Sequence, residues 1–158
     1  MEQGVVVSGI AYDKNVARIS ILGVKDQPGQ LAKVFTALGD AGINVDMIVQ
    51  SGVLNGKADF SFSVADNDVE RALEVLKAIQ DRVGFDGVSS ETGLVKISIV
   101  GAGMVSNPGV AAKMFQIIAD QGVSIKMVST SEIKVSCVID AERYQDVVRA
   151  LHTGYGLD

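Results

Sequence analysis

The feature that most constrains this chain is that it says the same thing twice. Residues 17–23 read ARISILG and residues 95–101 read VKISIVG. Each is an apolar or alternating run, as a half-buried or buried strand requires. Pro28-Gly29 and Pro108-Gly109 follow, 80 positions apart. After the first pair come Leu31, Val34, Phe35 and Leu38, and after the second Ala111, Met114, Phe115 and Ile118. Both sets are spaced i, i+3, i+4, i+7, the apolar stripe of an amphipathic helix. Lys33 matches Lys113, and Gly42 matches Gly122 as the glycine that follows each helix. A repeat of this length implies two copies of one supersecondary unit.

The rest of each copy follows the same grammar. Residues 43–50 (INVDMIVQ) and 123–130 (VSIKMVST) read as strands. Phe60, Phe62 and Val64 alternate in the first copy, as do Val135, Cys137 and Ile139 in the second. The register there is 75, so the first copy has a hairpin loop about five residues longer, around Gly52–Gly56. Val69, Ala72, Leu73 and Leu76 then mark a second helix, matched by Tyr144, Val147, Val148 and Leu151. Each unit reads β-α-β-β-α, one strand short of the ferredoxin-like βαββαβ pattern. The expected class is α+β, with two such units in tandem, antiparallel sheets and helices on one face. Residues 85–92 supply the last strand of the first unit. The second unit ends at Asp158 without room for one, while residues 5–12 (VVVSGIAY) precede the first unit unassigned. The economical expectation is that this strand completes the second sheet, because an open edge invites aggregation. Residues 16–92 then form one domain, and residues 1–15 with 93–158 the other. The competing reading makes residues 5–12 an extension or an interface strand.

Composition narrows the function. The net charge is -5, and an acidic chain repels phosphate and anionic membrane surfaces. Aromatics are 5% with no Trp, too few for base-stacking platforms, so no nucleic-acid or membrane partner is expected. Cys137 is the single cysteine, so no intrachain disulfide can form, and a reducing cytoplasm is the expected setting. One His and one Cys cannot build a zinc site, and no nucleophile–base set can be assembled. Gly101-Ala102-Gly103 begins a dinucleotide-type loop, but Ser106 leaves G-x-G-x-x-G incomplete. His152 reads as a surface or last-turn residue, and Cys137 as a small core residue. Asp13, Glu91 and Glu132 are scattered acids. Neither a catalytic residue nor a cofactor is expected.

The turn Lys25–Leu31 is the place where ligand chemistry fits. Pro28 is preorganised for a first helical position. The amides of Gly29, Gln30 and Leu31 then face out of a helix start, which suits a carboxylate. Gly29 has no Cβ to hold a ligand away from the backbone. Asp26 offers a charge for an ammonium or a hydroxyl. The alternative is that Asp26 or Gln27 merely caps the helix. Asn44, Asp46 and Gln50 share one face of the following strand. The matched positions in the second copy are Ser124, Lys126 and Thr130, with Ser106 in place of Asp26, so the copies do not offer identical sites.

DQPGQLAKVF, INVDMIVQ and STSEI, with the tandem order around them, resemble the regulatory part of aspartate kinase, a pair of ACT modules. The likeness covers essentially the whole chain. Nothing resembles the kinase's nucleotide-binding segment. The chain opens on Met with a short lead-in, like the separately made β subunit that some bacteria pair with a catalytic α subunit; an expressed fragment reads the same way. The resemblance implies a regulatory chain, not an enzyme. It implies feedback inhibition of lysine, threonine and methionine biosynthesis, with threonine, or lysine, as effector. It also implies a homodimer through the ACT modules, with the effector in the seam between chains. The matching effector positions are Asp26, Gln27, Pro28, Gly29, Gln30, Leu31, Asn44, Val45, Asp46 and Gln50, with Ser124 and Ile125 from the partner chain. Asp26 and Gln50 are the residues expected to read the hydroxyl. Two other readings compete: a valine-sensing ACT subunit of acetohydroxyacid synthase, and an acylphosphatase-like enzyme. The latter needs a fixed arginine in an anion-binding loop, and Arg18, Arg71, Arg82, Arg143 and Arg149 fall in none.

Overall fold

The computed structural model describes residues 6–103 and 107–158, so Val5 of the first expected strand and Ser106 lie outside the described residues. In chain order the elements are β1 (Val6–Lys25), α1 (Gln30–Asp40), β2 (Ile48–Gln50), β3 (Lys57–Ala65), α2 (Val69–Val83), β4 (Gly87–Ala102), α3 (Gly109–Asp120), β5 (Met127–Thr130), β6 (Lys134–Asp140) and α4 (Tyr144–Gly154). A single 3-10 turn precedes each of α2 and α4. The fold is α+β, two ferredoxin-like units built from antiparallel pairs. Two compact units emerge, residues 15–92 and residues 1–14 with 93–158, the second described from residue 6.

In the unit of residues 15–92 the strands run β2-β3-β1-β4. β3 pairs antiparallel with both β1 and β2, setting Ile19 against Phe62 and Ile48 against Phe62 from either side. Alternate residues of β1 and β3 enter one core: Ala17, Ile19 and Ile21 with Phe60, Phe62 and Val64. Val34 and Leu38 of α1, and Ala72, Leu76 and Ile79 of α2, cover that face. Phe35 meets Phe62 edge-on, centroids 5.4 Å apart. In the other unit the order is β1-β4-β6-β5. Ile97 opposes Cys137 and Ile99 opposes Val135, and these pack under Met114, Ile118, Val147 and Leu151. On the opposite face the two units carry a matched hydroxyl pair, Ser20 with Ser61 at 2.8 Å and Ser98 with Ser136 at 2.6 Å.

Gly42 and Gly122 end their helices in the left-handed region, φ 77 and 73. Behind them the amides of Ile43 and Val123 donate to the carbonyls of Leu38 and Ile118, the Schellman closure that a left-handed C′ glycine permits.

The structure corrects three sequence expectations. Of the expected strands, residues 6–12 and 17–23 are not separate: β1 runs unbroken from Val6 to Lys25, with Asn15 at φ 61 within it. β4 likewise joins residues 87–92 to the apolar run after them through Gly93 at φ 74. Residues 43–50 are strand only over Ile48–Gln50, and residues 123–130 only over Met127–Thr130. The Asp46 amide donates to the Ser63 carbonyl, but the Met47 amide goes to Ser63 Oγ, so no regular ladder forms there.

Candidate functional site

The turn between β1 and α1 is held from two sides. The Asp26 amide donates to the Gly56 carbonyl at 2.9 Å, and the Lys25 amide to the Gly84 carbonyl at 3.4 Å. Gly56 belongs to the longer hairpin loop of this copy. Inside the turn, the Gln30 amide donates to the Gln27 carbonyl at 3.4 Å. Gly29 has φ 90 and ψ -11, the third position of a type II turn, with Pro28 at the second. Pro28 is therefore a turn residue and not the first residue of the helix, as expected from the sequence; α1 starts two residues later, at Gln30. No side chain caps α1, so the capping alternative for Asp26 or Gln27 fails. The Leu31 and Ala32 amides sit in the first helical turn, where no intrahelical carbonyl is in reach.

The turn and the first two residues of α1 border a cleft of about 260 Å³ lined by Asp26, Gln27, Pro28, Gly29, Gln30, Leu31 and Gln50. Val24, Lys25, Ala58 and Phe60 complete the lining. The volume is below the range typical of drug-sized ligands and suits a molecule of amino-acid size. Asp26 brings an acceptor charge and Lys25 a cation; Phe60 and Ala58 give an apolar floor. Val24, Ala58 and Phe60 were missed by sequence reasoning, and Lys25 is expected there only as the first residue of the turn. Phe60 was visible as a core position of an alternating strand. Asn44, Val45 and Asp46 do not line the cleft: Asn44 and Asp46 are exposed and Val45 is half-buried on the segment leading to β2. Ser124 is exposed and Ile125 half-buried, both in the other unit ahead of β5. Gln30 lines the cleft but its side chain turns inward, and its Nε2 donates to the Val83 carbonyl.

Residues 17–84 and residues 97–155 each match the ACT domain family. A chain in the crystal structure of aspartokinase alpha and beta subunits is 46% identical, with a TM-score of 0.87, over 96% of this chain and 99% of that one. The ligand-free regulatory subunit of aspartate kinase from Thermus thermophilus is 40% identical, TM-score 0.87, over 94% and 98% of the two chains. The chain belongs to the aspartokinase regulatory family. An aspartokinase of Geobacillus stearothermophilus is 47% identical over 99% of this chain, which spans 38% of that relative's length.

As in a tandem ACT pair, the second unit carries a counterpart of the cleft. It measures about 450 Å³ and is lined by Asn107, Pro108, Val110 and Ala111 with Thr130, Ser131, Glu132 and Val135. Its turn differs. Pro108 has φ -61 and ψ -22, and α3 begins at Gly109. Elsewhere in this aspartokinase regulatory chain, Cys137 is buried against Met114 Sδ at 3.9 Å, and burial pushes its thiol up to about 12. No arginine lines either cleft. Arg18 pairs with Glu91, Arg71 with Asp68, and Arg143 and Arg149 with Asp146. Among the described residues no His, Cys, Asp and Glu group could hold a metal, and no helix is long and apolar enough to cross a membrane.

Proposed function

We propose that this chain is a regulatory ACT pair of aspartate kinase that binds threonine at the Lys25–Leu31 turn, in a seam between two copies, and conveys feedback inhibition to a catalytic subunit. The observation that carries this reading is the cleft in which Asp26, Gly29, Leu31 at the start of α1 and Gln50 meet. The amide of Leu31, at the start of α1, suits the effector's carboxylate. Asp26 suits its ammonium, and Asp26 with Gln50 its hydroxyl. A pairing of copies is favoured by β2, the edge strand of its unit, where Ile48 and Val49 stay 53% and 41% exposed. Covering such an edge removes both an apolar patch and a row of unpaired backbone groups. Ser124 and Ile125 of the second copy would then face the cleft. An effector shared between chains stabilises the dimer by mass action.

The test is calorimetry of the chain with threonine, lysine, valine and aspartate, with light scattering for the oligomeric state. Threonine should bind and tighten the dimer. Asp26→Ala should weaken binding about tenfold or more, the value of a charge-assisted hydrogen bond. Binding of valine alone would favour an acetohydroxyacid synthase regulator, and heat from none of the four would sink the effector reading.

A further inference from the structure

Gln30 opens α1 beside the cleft, yet it is only 6% exposed and its amide donates to the Val83 carbonyl. Val83 is the last residue of α2, so this carbonyl is one of the four that a helix end leaves without an intrahelical partner. Gln30 thus caps one helix from the start of another. The chain beyond Val83 is tied to the same region. The Gly84 carbonyl accepts from the Lys25 amide, and the Asp86 amide donates to the Leu22 carbonyl at 2.7 Å. Gln80 Nε2 donates to the carbonyls of Phe85 and Asp86 at 3.1 and 3.3 Å. The effector turn is therefore bound at both ends, by Lys25 and by Gln30, to the short connection that leads from α2 into β4.

Resting on the effector reading above, we infer that Gln30 is a positioning residue that carries occupancy of the cleft to the α2–β4 connection. A ligand that draws on the Leu31 amide acts on the first turn of α1, and Gln30 is the first residue of that turn. Its buried amide cannot leave Val83 without stranding a donor and an acceptor away from water. Whatever places α1 therefore places the end of α2. A ligand changes that end only by binding one placement better than another. The second unit lacks the device: the matching position is Val110, which has no side-chain donor, and the tie runs the other way, from Tyr155 Oη to the Val110 carbonyl at 2.8 Å.

The experiment is amide hydrogen exchange on the 158-residue chain with and without saturating threonine, with affinity measured in parallel. In the parent, threonine should slow exchange at Gly84 and Asp86 as well as at Leu31, on the order of tenfold, a typical coupling between sites. In Gln30→Met, compared at saturating threonine whatever its affinity, Leu31 should still be protected while the ratio at Gly84 and Asp86 returns to one. Gln30→Asn, too short to reach Val83, should behave alike. A purely structural Gln30 would speed exchange equally in both states and leave the ratio unchanged, which overturns the inference. So does a parent in which threonine binds but protects Leu31 and not Gly84 or Asp86, a result that needs no variant. No threonine binding to the parent overturns the effector reading itself, and this inference with it.

Discussion

Pro28-Gly29 and Pro108-Gly109 occupy the same place in two units of one fold, yet their backbones differ. Gly29 takes φ 90 and closes a turn ahead of α1, whereas Pro108 is already helical and Gly109 is the first residue of α3. The dipeptide permits both outcomes; its surroundings choose. In the first unit the Asp26 amide is held by the carbonyl of Gly56, within the hairpin loop that is about five residues longer there. The extra loop thus reaches the turn and fixes a glycine in a conformation that presents amides to a cleft. A repeat in sequence therefore predicts a repeat in fold more safely than a repeat in site.

The comparison breaks most visibly if the two cores are not equivalent. Leu38 and Ile118 stand 80 positions apart, and each is fully buried under its sheet. Leu38→Ala and Ile118→Ala should each cost about 2–5 kcal/mol, the transfer and cavity cost of a large-to-small core change. Denaturant unfolding followed by circular dichroism measures it. A cost under about 1 kcal/mol for one of them would mean that its core relaxes around the loss and that the units differ in packing as well as in turns.

The two glycines should respond with opposite sign. Neither has an atom within 4 Å of an added Cβ, so space does not decide. Backbone conformation does. Gly29→Ala puts a side chain in the left-handed region and should cost about 1–2 kcal/mol. It should also weaken any ligand of the neighbouring amides. Gly109→Ala sits at a helical position and should gain about 0.4–1 kcal/mol by restricting the unfolded chain. Equal effects in thermal melts would show that the turns are interchangeable.

What the sequence made legible was whatever recurs at short range. The stripes Leu31-Val34-Phe35-Leu38 and Ala111-Met114-Phe115-Ile118 gave the helices, and Gly42 and Gly122 their ends. The long β1 was hidden because residues 13–16 separate two apolar runs that read as strands of their own, whereas the strand continues through them with Asn15 at φ 61. The strand over residues 43–50 was read too long, since alternation of Ile43, Val45 and Met47 is set by burial while the Ser63 hydroxyl takes the Met47 amide out of the ladder. Within the candidate site, the Asp26–Leu31 turn was visible as a motif. The bond from Gln30 to Val83 was not, because it joins residues 53 apart by a side chain whose direction no periodicity reveals.

The smallest expected effect tests the tie in the second unit. Tyr155 Oη gives its proton to the Val110 carbonyl, and Lys113 Nζ lies 4.9 Å from the Tyr155 ring centroid. Tyr155→Phe removes the donor and keeps the ring, so at neutral pH it should cost about 0.5–1.5 kcal/mol. Burial, then the nearby Cys137, push the Tyr155 hydroxyl from 10.0 up to about 12. A group whose folded value is raised adds stability in full below its unfolded value and loses it as pH climbs toward the folded one. The parent should therefore weaken between pH 10 and about 12. Cys137, raised from 9.0 to about 12, adds a loss of the same sign from pH 9 upward. Tyr155→Phe should flatten the upper part of that decline in urea melts across the alkaline range, and Cys137→Ala the part that starts lower. A decline that survives both changes would place the alkaline weakness outside the second unit's helix-to-helix tie and its core, and would remove pH as a means of telling the two units apart.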